Sequence, residues 1–271
     1  MRFVLLASAV LIAAGCGQRP RCTAPEDRTE ACISGPVAVN SAMKSVGVAE
    51  LCASRCSRVQ SLDVNAPTRA QADELREALL GVVEITGSAG FAASSEVANP
   101  SEVLTSVVRI GSLLPFFFPA DWSGDISFPS VVSVGWLRIE GAGWENYNIN
   151  RIDFPDLRVV SRLEIVSHNA KAVPDFPRLE EIDERLVIGI NRLPAFPSMP
   201  RLREAPLVEV GQSDLIESID ELNDVRVDRI GLFQNSRLSS CRIDRTIAAM
   251  RTLNPELQVS RSFESTAPCQ E

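Results

Sequence analysis

A mainly β fold, built as a parallel β-solenoid with a helical cap at each end, is what this sequence predicts. Short β-rich segments recur at near-constant spacing, a Phe-Pro element precedes most of them, and helix-patterned segments holding the cysteines stand outside the array. A self-similar period of roughly 20–50 residues marks an array of stacked units.

The chain opens with MRFVLLASAVLIAAGCGQ: one Arg, an apolar run from Phe3 to Ile12, then Ala13, Ala14 and Gly15 before Cys16. A short apolar run behind a positive residue reads as a secretory signal, because about ten residues of helix rise only ~15 Å, half of a bilayer core. The small-small-Cys ending resembles the lipobox of bacterial lipoproteins. That resemblance implies removal of residues 1–15 and acylation of Cys16, and Gly17 in place of Asp implies the outer membrane. The chain's membrane partner is then reached through lipid, not through a span. An ordinary secretory signal with an incidental Cys is the alternative. Loss of residues 1–15 leaves 26 basic against 35 acidic residues, a charge of about −9. That balance argues against nucleic acid and against an electrostatic hold on anionic lipid.

Six cysteines remain after Cys16: Cys22, Cys32, Cys52, Cys56, Cys241 and Cys269. An even number in an exported chain points to disulfides. Their positions suggest pairing among the first four and of Cys241 with Cys269. Zinc is the competing reading, but Cys52 and Cys56 lack the two-residue knuckle spacing and the one His, His168, is distant in sequence. No metal or cofactor is expected. Residues 16–36 are assigned as lipidated Cys and linker, and 37–80 as a helical N-terminal cap in which Thr68 is an N-cap and Leu75, Leu79 and Leu80 share a face.

The array occupies residues 81–240, about seven coils. Aligned on the first inward apolar residue, its strands start at 83, 108, 137, 163, 186, 208 and 230, spaced by 25, 29, 26, 23, 22 and 22. Apolar residues two apart give each segment one buried face. Phe128-Pro129, Phe154-Pro155, Phe176-Pro177 and Met199-Pro200 precede four of them, where Pro suits a corner because its φ is fixed and it needs no ladder partner. Asn191, Ser213, Asn235 and His168 stand at one offset, where a polar side chain can bond backbone as the strand turns off. Residues 241–271 form the C-terminal cap, with Ile243, Ile247 and Met250 at helical spacing.

In LRVVSRLEIVSHNA, the series Leu157, Val160, Leu163, Ile165 resembles the leucine-rich-repeat skeleton, with His168 where Asn is usual. FPRLEEIDERLVIGINRL, with its four-residue step from Ile182 to Leu186, is closer to the receptor L domain. The resemblance implies a right-handed β-helix over roughly residues 80–240, used for binding rather than catalysis.

Between the two inward positions of successive strands lie Glu84, Arg109, Arg138, Glu164, Val187, Glu209 and Gly231. Glu84 is expected to face Arg109, and Arg138 to face Glu164, as a charged recognition face or as a solvated sheet with cross-strand pairs. Toward the C-terminal strands Val187, Gly189, Gly211, Gly231 and Phe233 make it apolar. LLPFFFPADW and GWENY interrupt the array in its longest intervals, and Trp122, Trp144 and Tyr147 are the candidate contact aromatics there. Phe116–Phe118 can instead fill the interior. With one His, no HExxH, no GxSxG and no phosphate-binding loop, the sequence predicts no enzyme. The expectation is a cell-envelope binding or adhesion module for protein or glycan. The alternatives are a carbohydrate-active β-helix enzyme with paired carboxylates and a purely structural lipoprotein.

Overall fold

The computed structural model describes residues 28, 30–39, 47–65, 68–92, 102–117, 123–140, 148–166 and 172–262. The fold is mainly β and is dominated by one open sheet of parallel strands. The N-terminal part contributes β1 (Glu30–Ser34), β2 (Val37–Val39), α1 (Val48–Ala53), β3 (Cys56–Val59), β4 (Leu62–Asn65) and α2 (Arg69–Leu79). Then come β5 (Glu84–Ala92), β6 (Arg109–Phe117), β7 (Ser123–Ser127), β8 (Ser133–Glu140), β9 (Asn148–Asp153), β10 (Val159–Val166), β11 (Glu181–Asn191) and β12 (Leu207–Ser213). β13 (Arg229–Phe233), α3 (Ser240–Leu253) and β14 (Gln258–Ser262) complete it. The main sheet runs β1-β3-β5-β6-β8-β10-β11-β12-β13-β14, with β2 joined through β4 to β5, while β7 pairs with β9 apart from it.

The Phe-Pro element is a tight corner. In each case the carbonyl of the first residue accepts the N–H of the fourth, as from Leu157 to Phe154 (3.3 Å), Leu179 to Phe176 (3.2 Å) and Leu202 to Met199 (3.0 Å). Pro occupies the second position of this turn, where its fixed φ is preset. The same hydrogen bond recurs without Pro at Leu79–Val82, Leu104–Val107 and Leu222–Val225, and with Pro at Asn254–Leu257. Successive corners are tied together. Phe128, Phe154 and Phe176 each donate their N–H to the next corner's strand, at Asp153, Asp175 and Ser198. Their buried rings stack, with centroids 5.1 and 5.5 Å apart.

Beyond the corner each strand buries two apolar sets. Val134, Val160 and Ile182 occupy the first, and Leu137, Leu163, Leu186, Val208 and Ile230 occupy the second in continuous register. These sets are three or four residues apart, so the alternation breaks between them and the strand bends. Glycines sit at this bend. A Cβ on Gly111 would lie 2.4 Å from the Thr86 carbonyl oxygen, and one on Gly135 would lie 2.4 Å from that of Gly111. At the far end, Ile190, Gln212 and Gln234 are left-handed, with φ of 49°, 53° and 53°. They stand 22 residues apart, and after Gln212 and Gln234 the next residue, Ser213 or Asn235, is buried. Asn235 is buried there, donating to the Val210 carbonyl (2.9 Å) and accepting the Ser213 N–H (3.3 Å). That is the role the sequence assigns to this offset; His168 lies outside the described residues.

The ends differ from expectation. The sheet begins at β1, inside the segment assigned as linker, and the expected helical cap of residues 37–80 contains β2, β3 and β4 as well as α1 and α2. The reason is local: VAV, CSRV and LDVN alternate with period two, which short segments show as readily as helical spacing. Arg28 belongs to the fold too. Its buried guanidinium donates to Leu51 O (3.2 Å) and Ala78 O (2.8 Å), carbonyls at the C-terminal ends of α1 and α2. The helix dipoles favour a cation there, while burial lowers the Arg28 pKa below its ordinary value. α2 carries the expected Thr68 N-cap, completed by Gln71 as a capping box, but Leu80 is exposed at its end rather than sharing the face of Leu75 and Leu79. α3 buries Ile243, Ile247 and Met250 as its spacing requires. The chain then adds β14 to β13, a strand the C-terminal cap assignment lacks. No helix among the described residues is long and apolar enough to cross a membrane.

Candidate functional site

The outward face of β8–β13 is organised in three rows, because neighbouring parallel strands stand ~4.8 Å apart in fixed register. One row holds Trp136, Arg162, Arg185, Leu207 and Arg229. The next holds Arg138, Glu164, Val187, Glu209 and Gly231, and the third holds Glu140, Val166, Gly189, Gly211 and Phe233.

Both predicted charge pairs form. Arg138 Nη1 lies 3.4 Å from Glu164 Oε2, and Arg109 Nη2 lies 3.5 Å from Glu84 Oε2. Each carboxylate has a second arginine: Arg185 on Glu164 Oε1, and Arg58 at 3.9 Å on Glu84. Glu164 is thereby 5% exposed, a carboxylate held between two guanidinium groups on an otherwise solvated face. Arg138 Nε also reaches Glu140 Oε2 at 2.9 Å. The expected single row is corrected, however. Arg109 registers with Ser133, not with Arg138, because Leu113 rather than Val108 is the partner of Leu137. Val83 is correspondingly 36% exposed, and the inward residues of those strands are Ile85 and Ile110. The two Arg–Glu–Arg clamps are therefore separate.

In the C-terminal half of the face Val187, Gly189, Gly211, Gly231 and Phe233 carry no charge, while Glu209 stands among them and Arg185 and Arg229 in the adjoining row. The Phe233 ring lies against Gly231, where a Cβ would meet ring atoms at 2.7 Å, and extends over Gly211. On β11, Ile190 is 52% exposed while left-handed, a conformation costing a β-branched residue ~1–2 kcal/mol.

Sequence reasoning missed the row of Trp136, Arg162 and Arg185. Each immediately precedes the first residue of the second inward set, so period-two alternation carried the signal. Trp136 Nε1 and Arg185 Nε are buried without a hydrogen-bond partner among the described residues. Cys16, Cys22, Cys269, Trp122, Trp144 and Tyr147 lie outside the described residues. Among the described residues no group of His, Cys, Asp and Glu is arranged to hold a metal. Comparison with known proteins identifies no relative: no family model matches the chain, nor does any curated protein or solved structure.

Proposed function

We propose that this chain is a lipid-anchored cell-envelope protein whose body is a right-handed β-solenoid of the receptor L domain or leucine-rich-repeat kind. In this reading it works as a non-catalytic binding module for a protein or glycan. The observation that carries the reading is the graded outer face, in which an Arg-clamped Glu164 adjoins the uncharged residues Val187, Gly189, Gly211 and Phe233, with Glu209 as the one carboxylate beside them. Register-matched parallel strands joined by recurring corners support the solenoid. A rigid sheet presenting different side chains at fixed spacing suits recognition, since little conformational entropy is lost on contact. Glu84, Glu140 and Glu164 are each engaged by arginine, which favours binding over the paired-carboxylate hydrolysis of the enzyme alternative.

Cys16 is the proposed anchor, and Gly17 after it is the basis for proposing the outer membrane. The six other cysteines are read as structural disulfides. In support, Cys56 opens β3, the strand that pairs with Cys32-bearing β1, and Cys52 is buried on α1.

The test is affinity capture from whole envelopes with the full chain, beside two variants, Val187→Arg on the face and Trp144→Ala/Tyr147→Ala on the loops. Loss of a captured partner with Val187→Arg supports the face. Loss only with the loop variant moves the site to the aromatics, and equal capture by all three overturns the binding reading. Cys16→Ser should release the protein from membranes; unchanged membrane association would overturn the anchor.

A further inference from the structure

The row of Trp136, Arg162, Arg185, Leu207 and Arg229 ends at a hollow of about 280 Å³ lined by Pro206, Leu207, Asp228, Arg229 and Gln258. It opens where β12, β13 and β14 begin. Most polar groups around it are already committed. The N–H groups of Asp228 and Arg229 both go to Pro206 O, at 3.0 and 2.9 Å, and Gln258 N–H goes to Asp228 O at 2.9 Å. Asp228 Oδ1 accepts Asn254 Nδ2 at 2.9 Å. What remains is the second carboxylate oxygen of Asp228, and the Arg229 guanidinium and Gln258 carboxamide, neither of which has a side-chain partner among the described residues. Arg229 differs in this from its row neighbours. Arg162 is paired with Glu184 and Arg185 with Glu164, so the protein neutralises that row of cations up to Arg229.

We infer that this hollow binds a monovalent carboxylate borne on an apolar group, the chemistry shared by a peptide C-terminus and a small free carboxylic acid. The guanidinium is a planar fork that accepts a carboxylate through two parallel hydrogen bonds. Gln258 can add a third donor, and Pro206 and Leu207 give the apolar arm a wall. The volume sits just below the usual range for small-molecule pockets, roughly 300–1,000 Å³, which suits one residue-sized group. Asp228 sets the charge limit: with its carboxylate in the lining, one arginine does not balance a dianion, so phosphate-class ligands are disfavoured. The site lies on the face assigned to recognition and names part of what that face would grip; its biological use rests on that assignment, whereas the binding does not.

The experiment is an amide and arginine-Nε NMR titration of the ¹⁵N-labelled full chain with N-acetyl-glycyl-leucine, hexanoate, the amide of the same dipeptide, and inorganic phosphate. Saturable shifts at Leu207, Arg229 and Gln258 are expected with the peptide acid and not with its amide or with phosphate. Arg229→Gln should weaken binding by about tenfold or more, as for loss of a charge-assisted pair, and Arg229→Lys, which keeps charge without the fork, should fall between. Arg229 is exposed, so an unchanged melting temperature should confirm that both variants fold. Hexanoate binding as well as the peptide acid identifies free acids as the source; binding of the peptide acid alone identifies chain ends. Equal shifts with acid and amide, or undiminished binding by Arg229→Gln, overturns the inference. If Val187→Arg abolishes partner capture while no carboxylate binds here, the hollow fails and the recognition face stands.

Discussion

The corners and the outward face of the same strands follow opposite rules. At the corners one hydrogen bond, from the fourth residue back to the first, recurs from Leu79–Val82 to Asn254–Leu257 whether Phe, Leu, Met or Asn opens the turn. On the face the residue changes from each strand to its neighbour: Arg138, Glu164, Val187, Glu209 and Gly231 occupy a single register position. The fold is thus held by backbone geometry and inward apolar stacking, which leave the outward residue free. A face that folding does not constrain is available to recognition.

The largest effect should come from the centre of the corner stack. Phe154 is fully buried between Phe128 and Phe176, and Phe154→Ala should lower unfolding free energy by ~3–5 kcal/mol. Val187→Ala on the half-buried face should cost under ~1 kcal/mol. Urea denaturation of both variants measures the contrast, and similar losses would dissolve it.

Two glycines sharpen it further. Gly111→Ala sets a Cβ against backbone, 2.4 Å from Thr86 O and 2.7 Å from Gly87 O, which cannot move without shifting β5. Overpacking of that kind costs ~1–3 kcal/mol. Gly231→Ala crowds the Phe233 ring, which can swing away, and otherwise makes an ordinary contact of 3.7 Å with Glu209 Cγ, so stability should change by less than ~1 kcal/mol while Phe233 lifts off the strip. The midpoint of urea unfolding should drop for the first and barely move for the second; the reverse order would mean that the face, not the bend, is the rigid part.

How much of this the sequence carried depends on where its pattern was redundant. From Leu137 onward the inward residues and the Arg138–Glu164 pair are readable, because Phe-Pro corners and a 22-residue step fix the phase. Before that the corners are Leu79–Val82 and Leu104–Val107, with nothing in their composition to mark a turn. The sequence therefore sets the phase of β5 and β6 at Val83 and Val108, whereas the buried residues are Ile85 and Ile110. The first four strands were missed because strands of three to five residues give too few alternations to outweigh neighbouring helical spacing. Arg58, the second arginine on Glu84, was lost with them. The hollow at Arg229 is invisible in sequence, since it depends on which arginines lack an acidic neighbour across strands.

Within the face, Glu164 should be the most sensitive position. Its 5% exposure means that Glu164→Gln leaves Arg138 and Arg185 facing each other with no carboxylate between them. Removing one member of a buried pair costs several kcal/mol, but both arginines are about one-third exposed and solvent screens them, so ~1–2 kcal/mol is expected. High salt should shrink the difference from wild type. A loss that matches Phe154→Ala would make the clamp part of the frame and not of the recognition surface.

The smallest effect lies at the corner side of β11, where the frame tolerates a conflict. Asp183, then desolvation, then Glu204 raise the pKa of the Glu181 carboxyl above its ordinary value; Glu204 is its register neighbour. The native state therefore holds that proton more tightly than the unfolded chain does. Stability from this group is present below the unfolded value and is lost as pH rises through the raised one. Glu181→Gln removes the repulsion, so at pH 7 it should raise the melting temperature slightly. The gain should fade as the solution is acidified through the raised value and be absent below the unfolded carboxyl pKa of about 4.3, where the wild-type side chain is protonated as well. Melting curves of both proteins across that range decide it. A gain that persists at low pH would assign the effect to packing, and its absence at neutral pH would mean that solvent already screens the three carboxylates from one another.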